Sequence, residues 1–333
     1  VFNLNSGHII LWISRGLQIV GFHFFLTQSS IKLFDHWNYL FQFIFTFLAW
    51  DLCFYWSHRF NHSFKILWAV HAVHHEGEHF NLSLGIRNSW YSTLVSFPFF
   101  AVLALIGVPL EVFIACSGIH YFIQFYNHNS FVKKSGFLEY IMITPSHHRV
   151  HHGMNEEYVD KNFGGTFVFW DKLFGTFQKE EEDNPVVYGV KGYQKNFDVA
   201  WANNFHFIAL LSKTIPKFSS TKKKVRIHDI NVALMGISLF LLLVCYIYLE
   251  PSMNRPQKIG LFTIIFFGVI ATGGLSENKT WGLVVWILNF IVFLPFYMWK
   301  FGFEMTLFSI VLVVFTLITI SIFRDVILSL RNP

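Results

Sequence analysis

The stretch Asp51-Leu-Cys-Phe-Tyr-Trp-Ser-His58-Arg-Phe-Asn-His62 ends a long apolar run in two histidines four residues apart. The run covers residues 38–57, and about 20 apolar residues form a helix long enough to cross a bilayer. Side chains at positions i and i+4 lie on one face of a helix. The stretch therefore predicts a membrane helix that presents two imidazoles at one end.

Two further histidine clusters, His71-Ala-Val-His74-His75 and His148-Arg-Val-His151-His152, share an HxxHH spacing. This spacing puts the first histidine on a common helix face with the fourth or fifth, so each cluster can chelate a metal. Eight histidines exceed the four ligands that close a zinc site, which favours two ions. Imidazole suits zinc, iron, copper or nickel. The alternative, helix caps or interfacial histidines, explains one histidine better than three clusters.

A stripe of polar side chains, His120, Gln124 and His128, recurs at four-residue steps along a later apolar segment. We favour His128 as a ninth metal ligand because it lies at the end of that segment. His120 lies deeper and suits a core histidine equally well. Gln124 fits a residue that orients a ligand.

Residues outside the clusters are expected to support them. Asp51 shares a helix face with His58 and is predicted to accept an N–H from a ligand imidazole, with a salt bridge to Arg15 or Arg59 as the alternative. His147 is a candidate outer partner. His79 fits an exposed loop histidine.

The segment Asp160 to Thr176 is rich in turn residues, including Asn162 and Gly164-Gly165, and is predicted to form a small cap over the metal site. Within it, Asp171 is a candidate catalytic residue, expected to anchor Arg149 or Lys172, or to serve as a helix N-cap or surface pair. The acidic run 180–183 is interpreted as a solvated face.

The composition describes a membrane protein. Of 333 residues, 53% are hydrophobic and 14% are charged, with a mean hydropathy of +0.44, values that exclude disorder and an ordinary soluble surface. Three cysteines exclude a disulfide scaffold. The net charge of +5 forms no basic patch interleaved with stacking aromatics, so nucleic acid is not an expected partner.

We predict an all-α, polytopic membrane protein of about eight spans with a histidine-rich metal-binding cap. The candidate spans are 9–26, 38–57, 90–107, 110–127, 230–249, 258–275, 281–298 and 302–323. The basic cluster Lys213 to Arg226 precedes a long span and predicts a cytoplasmic side, which parity extends to the histidine clusters. The predicted organisation is an N-terminal membrane segment (1–37), a catalytic domain (38–229) and C-terminal membrane helices (230–333).

At its three clusters the chain resembles the fatty acid hydroxylase (sterol desaturase) superfamily of membrane di-iron enzymes, whose signature is HxxxH, HxxHH and HxxHH in this order. Three further strings are similar to the alkylglycerol monooxygenase subgroup. They are Thr144-Pro-Ser-His-His-Arg-Val-His-His-Gly153, Asp160-Lys-Asn-Phe-Gly-Gly-Thr and Trp170-Asp-Lys-Leu-Phe-Gly-Thr176. Asn81-Leu-Ser-Leu near Arg87 also fits. The resemblance covers roughly residues 40 to 190.

The resemblance implies two iron ions, O2 as oxidant, and insertion of a hydroxyl group into a lipid C–H bond. The implied ligands are His58, His62, His71, His74, His75, His148, His151 and His152, with His128. For the subgroup it implies tetrahydrobiopterin or another electron donor, and cleavage of an alkylglycerol ether to a fatty aldehyde and a glycerol derivative. The expected partners are a bilayer lipid and that donor.

Two alternatives stay open at this point. Within the same chemistry, the substrate is a sterol, a fatty acyl chain or an ornithine-type lipid, hydroxylated or desaturated. Outside it, the chain is a non-enzymatic metal transporter or metal-binding membrane protein, for which polar residues would have to mark a path through the spans.

Overall fold

The computed structural model describes residues 15–31, 33–193, 196, 198–212, 226–302 and 305–331. These residues form helices and turns, with two isolated β-bridges, Met142 to Phe167 and Gly153 to Tyr188. The predicted all-α class is confirmed for the described part of the chain.

The chain divides into two compact units. The histidine unit contains the described residues from 15 to 193 and from 205 to 212, and the C-terminal unit contains those from 196 to 204 and from 226 to 331. The predicted division into three domains stays a prediction.

The histidine unit is built from helices that position the three clusters. They are α1 (Arg15–Gln28), α2 (Tyr39–Ser63), α3 (Lys65–His75), α4 (Ser92–Leu105), α5 (Leu110–Asn127), α6 (Pro145–His151), α7 (Phe169–Leu173) and the part of α8 (Val199–Ser212) from Phe205 onward. Short 3-10 helices cover Leu82–Ile86 and Gly136–Tyr140.

Helix α2 links the apolar layer to the histidines. Its 25 residues span about 37 Å at 1.5 Å per residue, which exceeds the hydrocarbon thickness of roughly 30 Å. The side chain of Asn38 caps its start by accepting from the Phe41 N–H at 3.1 Å. Apolar side chains such as Ile44 are exposed in the first half, whereas Asp51 and His58 are buried in the second. One helix thus supplies a lipid-facing half and a site-facing half.

Packing of α2 against α3, α4 and α5, and of α1 against α4, encloses an apolar core. Its buried members are Phe22, Phe34, Trp50, Phe100, Leu103, Ala104, Val108, Val112, Phe113 and Cys116. Trp50 and Phe100 join α2 to α4 with ring centroids 4.4 Å apart. This core fixes α1, α2, α4 and α5 against one another beneath the histidines.

Five helices in the described part of the chain are long and apolar enough to span a membrane, which supports an integral membrane protein. They are Tyr39–Ser63, Asp229–Ser252, Arg255–Ser276, Thr280–Phe301 and Ser309–Ser329.

The other three predicted spans are not confirmed. The third folds as α4, which has only 14 residues. The fourth folds as α5, 18 residues long and interrupted by the polar side chains of His120 and Gln124. The first predicted span includes residues outside the described part of the chain. Most of the basic cluster that predicted the orientation also lies outside it.

The C-terminal unit is a group of apolar helices. They are α9 (Asp229–Leu249), α10 (Arg255–Ser276), α11 (Thr280–Ile287), α12 (Leu294–Phe301) and α13 (Met305–Arg331), with a π-helical segment, Leu288–Phe293, between α11 and α12. In that segment the Asn289 amide donates to the Ile264 carbonyl at 2.7 Å, and Phe290 stacks on Phe315 at 4.0 Å. The polar side chain at mid-helix is therefore satisfied within the unit.

Candidate metal centre

All nine histidines predicted as ligands lie in two groups, in each of which one ligand atom per residue lies within 4.8 Å of the others. The five-histidine group contains His58, His62, His71, His75 and His151. The four-histidine group contains His74, His128, His148 and His152. The groups are adjacent, since the rings of His75 and His152 stack at 4.4 Å. The structure therefore assembles two donor sets, although metal binding itself stays a prediction.

Each HxxHH cluster is divided between the two groups. On α3, His71 and His75 belong to the five-histidine group, and His74 belongs to the four-histidine group. On α6 and its C-cap the pattern is reversed, because His148 and His152 belong to the four-histidine group and His151 to the other. The first and fifth positions of each cluster therefore belong to the same group, and the fourth position belongs to the neighbouring group.

Backbone carbonyls fix the tautomer of several imidazoles. The Nδ1 atoms of His58, His74 and His151 lie 2.8 to 2.9 Å from the carbonyl oxygens of Phe163, Arg87 and Lys161, respectively. The Nδ1 of His128 lies 2.7 Å from the Gln124 carbonyl. A carbonyl oxygen only accepts, so each Nδ1 carries the proton and each Nε2 keeps a lone pair.

The freed Nε2 atoms point at one another. His128 Nε2 lies 3.2 Å from His74 Nε2, and both are lone-pair atoms by the preceding argument. Buried lone pairs at this distance repel unless a cation lies between them. The Nε2 atoms of His62 and His151 are likewise buried without a hydrogen-bond partner among the described residues. The donor sets fit metal ions that take imidazole nitrogen.

Burial keeps the imidazoles outside the membrane-spanning helices neutral. It lowers the pKa of His74 to about 4 and the pKa of His128 to about 3. Burial, followed by the neighbouring imidazoles, also lowers the pKa of His148 and of His152 well below the ordinary value. A neutral imidazole is the form that binds metal, so these groups are ready to coordinate at neutral pH.

Residues 160–163, here named the strap, orient three of the five histidines in the five-histidine group. The strap provides the Asp160 carboxylate to His62 at 3.2 Å, the Lys161 carbonyl to His151 and the Phe163 carbonyl to His58. Asp160 and Asn162 adopt left-handed backbone conformations, with φ of 58° and 54°, which Asp and Asn tolerate better than most residues. The predicted cap over the site is therefore a set of outer hydrogen-bond partners.

Asp171 holds the strap. Its carboxylate accepts from the backbone N–H of Phe163 at 2.7 Å and of Gly164 at 2.8 Å, and from the Thr176 hydroxyl at 2.7 Å. Burial raises the pKa of Asp171 to about 6. The predicted partners, Arg149 and Lys172, are wrong. Arg149 donates to the Glu180 carboxylate, and Lys172 donates to the Tyr140 carbonyl. Asp171 therefore positions a backbone that in turn positions His58.

Asp51 has a different role from the one predicted. Its fully buried carboxylate accepts from His120 Nε2 and the Thr166 N–H, both at 2.7 Å, from the Phe167 N–H at 3.1 Å and from the Trp170 indole at 3.0 Å. The predicted partner, a ligand imidazole, is thus wrong, because His120 belongs to neither group. Asp51 instead fastens the loop after the strap to α2 and α5.

The alternative salt bridges of Asp51 are not supported. Arg59 donates to the Tyr55 hydroxyl at 3.2 Å, and the side chain of Arg15 lies outside the described part of the chain. His120, which was left open between ligand and core, is a buried partner of Asp51.

Other predicted outer residues lie apart from the histidine groups. His147 is buried, with its ring against Phe177 at 5.3 Å, and belongs to neither group. The Gln124 side chain donates to the Gly165 carbonyl, so only its backbone oxygen orients a ligand, His128. His79 is exposed, as expected for a loop histidine.

Two carboxylates, those of Glu180 and Glu76, brace the site through ion pairs that no sequence pattern predicted. Arg149 donates to the Glu180 carboxylate at 2.8 and 2.6 Å, so Glu180 is not part of a solvated face. Glu76, directly after the second cluster, pairs with Arg87 and with His206 of α8, the latter at 2.9 Å. His206 lies 130 residues from Glu76 in the chain, and no local spacing signals such a contact.

Two cavities reach the histidines, and they share no lining residue. The aromatic cavity has a volume of about 150 Å³ and is lined by Trp50, Phe54, Phe100 and Tyr121, among others. Five ligand histidines line it. They are His58, His71, His74, His128 and His148.

The polar cavity has a volume of about 490 Å³. The side chains of Glu156, Asp160 and Lys191 lie at its mouth and are exposed, and Trp68 lines its wall. The remaining four ligand histidines line it. They are His62, His75, His151 and His152. Each histidine group is therefore reached from two separate cavities.

Comparison with known proteins agrees with this geometry. The fatty acid hydroxylase family model matches residues 43–176, which contain all nine histidines of the two groups. Alkylglycerol monooxygenase from Danio rerio is 40% identical over 175 residues, 53% of this chain and 38% of the relative. The Homo sapiens protein of the same name is 43% identical over 144 residues, 43% of this chain and 32% of the relative.

A more distant relative is an ornithine lipid hydroxylase from Rhizobium tropici, 31% identical over 160 residues, 47% of this chain and 48% of the relative. The chain thus matches less than half of the length of these relatives. No solved structure is detectably similar to it. The family match, the spacing of the three histidine clusters and the two donor sets agree: residues 43–176 of this chain are similar to fatty acid hydroxylase domains.

Proposed function

We propose that this chain is an oxygen-dependent di-iron monooxygenase that hydroxylates a C–H bond of a membrane lipid. The convergence of nine imidazoles in two adjacent groups supports it most strongly, because a pair of nitrogen-rich sites suits two redox-active ions. Similarity to alkylglycerol monooxygenases over about half of the chain supports iron among the metals that imidazole binds.

The residues of this chain have distinct tasks in that chemistry. The five-histidine and four-histidine groups would hold one iron each, and bound iron would supply the activation of O2. The strap and the Arg87 and Gln124 carbonyls hold the imidazoles in their metal-binding tautomer. The apolar walls of the aromatic cavity exclude water from the reacting carbon. Most of the work of this protein is therefore positioning.

The lining of the aromatic cavity favours an amphiphilic substrate. On α2, Trp50 and Phe54 precede the polar Ser57 and Asn61, which are closer to the metal end of the helix. On α4, the order from the site outward is likewise polar first. Ser92, Thr93 and Ser96 come before Phe100. An alkyl chain suits the aromatic part, and a small polar group suits the part beside the histidines.

An alkylglycerol has this polarity, with its ether bond between the chain and the glycerol. In the reaction we propose, one oxygen atom of O2 enters the C–H bond of the ether CH2 group, the other leaves as water, and a reductant supplies two electrons and two protons. The resulting hemiacetal separates into a fatty aldehyde and glycerol or its derivative.

The polar cavity is where we place access for the reductant. A lipid in the aromatic cavity blocks that side, whereas the polar cavity reaches four other histidines past exposed charged side chains. A water-soluble donor such as tetrahydrobiopterin suits this opening. We further propose that this side faces the cytoplasm, because the basic cluster at 213–226 favours that orientation.

Iron analysis and aldehyde release test the proposal together. Purified, iron-loaded protein should contain about two irons per chain and release hexadecanal from 1-O-hexadecylglycerol with O2 and tetrahydrobiopterin. Replacement of His74 by Ala should lower the iron content to about one per chain and remove turnover, whereas His79→Ala, at an exposed position, should leave both intact. Full iron content without aldehyde from any ether lipid, with any reductant, would exclude ether cleavage.

A second substrate class has one specific observation in its favour, the 31% identity to an ornithine lipid hydroxylase. The chemistry would be the same, but the product would keep both halves of the lipid and gain one oxygen atom. Mass spectrometry of lipids from cells with and without this protein separates the two outcomes. Metal flux into liposomes without any lipid product would favour the transporter alternative.

A further inference from the structure

Asn61 lines the aromatic cavity and has an unsatisfied buried oxygen. The residue is 9% exposed, and its Oδ1 has no hydrogen-bond partner among the described residues. Leaving a buried polar atom unpaired destabilises the folded protein. Native proteins keep few such atoms, and each calls for an explanation. The unpaired Nε2 atoms of His62 and His151 are explained by metal binding, whereas Asn61 lines the aromatic cavity, where a ligand in that cavity would meet its oxygen.

The place of Asn61 in α2 indicates which part of a ligand it would meet. It lies three residues after His58 and one before His62, so it is level with the five-histidine group on the same helix. Trp50 also lines the cavity and has an unpaired indole nitrogen, but it lies about 16 Å away along the helix. Asn61 therefore faces the part of a ligand closest to the metals.

A carboxamide offers one acceptor oxygen and an NH2 donor, a combination that pairs with a hydroxyl group. Hydrocarbon would leave the oxygen unpaired, and an ester or ether oxygen cannot donate to it. The polar side chains of Ser57 and Ser92 in the same lining agree with a hydroxyl-bearing ligand.

We propose that Asn61 is a specificity-determining residue that accepts a hydrogen bond from a free hydroxyl of the lipid's polar end. The proposal rests on the proposed function, since it assigns the lipid to the aromatic cavity. The chemical class is a lipid with an alkyl chain and at least one free hydroxyl within one or two bonds of the reacting region. A lipid of equal chain length without that hydroxyl binds less tightly.

Stability and binding should respond in opposite directions to the change Asn61→Leu. An apolar side chain of similar volume removes an unpaired oxygen, so the ligand-free protein should unfold at an unchanged or higher temperature. If Asn61 had a purely structural role, its replacement would instead lower the unfolding temperature of the protein. This contrast separates a ligand-binding role from a structural one.

Binding is measured on the metal-free, full-length protein in detergent, by the shift in unfolding temperature with added lipid. The probes are 1-O-hexadecylglycerol, with two hydroxyls, and hexadecyl propyl ether, with none. Wild type should bind the glycerol lipid about tenfold more tightly than the ether, and Asn61→Leu should remove that preference. The matched control is Ser63→Ala, on the same helix, where an exposed hydroxyl donates only to the Arg59 carbonyl.

Turnover by the iron-loaded protein supplies the second readout. The ratio of kcat/KM for the two lipids should fall about tenfold in Asn61→Leu and stay at the wild-type value in Ser63→Ala. The inference is overturned if wild type binds both lipids equally, or if Asn61→Leu keeps the preference. An inert wild type would contradict the proposed function alone, because the binding measurement needs neither iron nor turnover.

Discussion

His58 donates its Nδ1 proton to the carbonyl oxygen of Phe163 across 2.9 Å and 105 residues of chain. The hydrogen bond joins a membrane-spanning helix to the strap, and the strap is held in turn by Asp171. A ligand at the end of α2 is therefore oriented by a loop that forms only when the polar segment has folded over it. The first prediction tests this chain of contacts.

Replacement of Asp171 by Asn should lower metal occupancy of the five-histidine group selectively. The amide NH2 would face the Gly164 N–H, so two donors would meet where the carboxylate oxygen now accepts. Loss of an outer partner typically costs 10 to 100-fold in metal affinity. We expect the iron content to fall from about two to about one per chain, measured by elemental analysis after dialysis. The control Glu182→Gln, in an exposed pair with Lys134, should keep both irons.

The two groups should differ in their tolerance to the loss of one histidine. His62→Ala leaves four imidazoles in the five-histidine group, whereas His128→Ala leaves three in the four-histidine group. We expect His128→Ala to lose close to one iron per chain and His62→Ala to retain more, under the same chelator concentration. Equal losses would show that the fifth imidazole is essential to its group.

Acidification should destabilise the metal-free protein. Because the folded pKa of His74 is about 4 and that of His128 about 3, both stay neutral when folded but take up protons below about pH 6.5 when unfolded. Their contribution is thus complete above pH 6.5 and is lost as the pH falls towards these values. Asp171, with a raised pKa of about 6, acts in the opposite direction.

The histidines outnumber that carboxyl group. Seven histidines of the two groups lie outside the membrane-spanning helices and have lowered pKa values: His71, His74, His75, His128, His148, His151 and His152. The unfolding temperature in detergent should therefore drop between pH 7.5 and pH 5. Bound metal should raise the unfolding temperature across this range without removing the drop, because it binds the folded imidazoles that are already neutral there. A flat profile in the metal-free protein would contradict the buried, neutral state of these groups.

A methyl group at Gly165 should disrupt the packing of the loop that follows the strap against His120 and Phe54. A Cβ atom there would overlap the imidazole of His120 and come within 2.8 Å of Phe54, a type of overpacking that costs about 1 to 3 kcal/mol. Gly118→Ala, where no atom lies within 4 Å of the added carbon, is the matched control on α5. We expect a lower unfolding temperature for Gly165→Ala and an unchanged or higher one for Gly118→Ala.

Local spacing predicted which histidines come together because the relative positions of side chains on one helix are a local property. All nine histidines lie where three clusters and the end of a polar stripe placed them. The same spacing could not predict how the clusters divide. Positions i+3 and i+4 both lie on the face of residue i, so only the packing of α3 against its neighbours decides that His75, not His74, joins His71.

The outer partners were harder to predict because most of them are backbone atoms. Every residue has a carbonyl oxygen, so the Phe163 and Lys161 contacts leave no mark in the sequence. One signal was available, since Asp160 and Asn162 are residue types that favour left-handed turns. Asp51 was correctly singled out as a buried carboxylate in an apolar span, but its partners depend on which distant loop docks there.

Three of the eight predicted membrane spans are not confirmed, two of them for a related reason. Apolar length identifies α2 and the C-terminal helices that are long and apolar enough to span a membrane. In α4 and α5, apolar side chains instead form the core of the histidine unit, and polar ones line its cavity. Hydropathy alone does not distinguish a helix buried in protein from one buried in lipid.

Because each HxxHH cluster contributes to both groups, neither group can be completed by one helix. Both need α3 together with α6 and its C-cap, and His152 lies 77 residues after His75 in the chain. During synthesis the two sites must therefore mature together and late, after the polar segment has emerged and folded back on the inserted helices. Metal loading would then report that the whole domain has assembled.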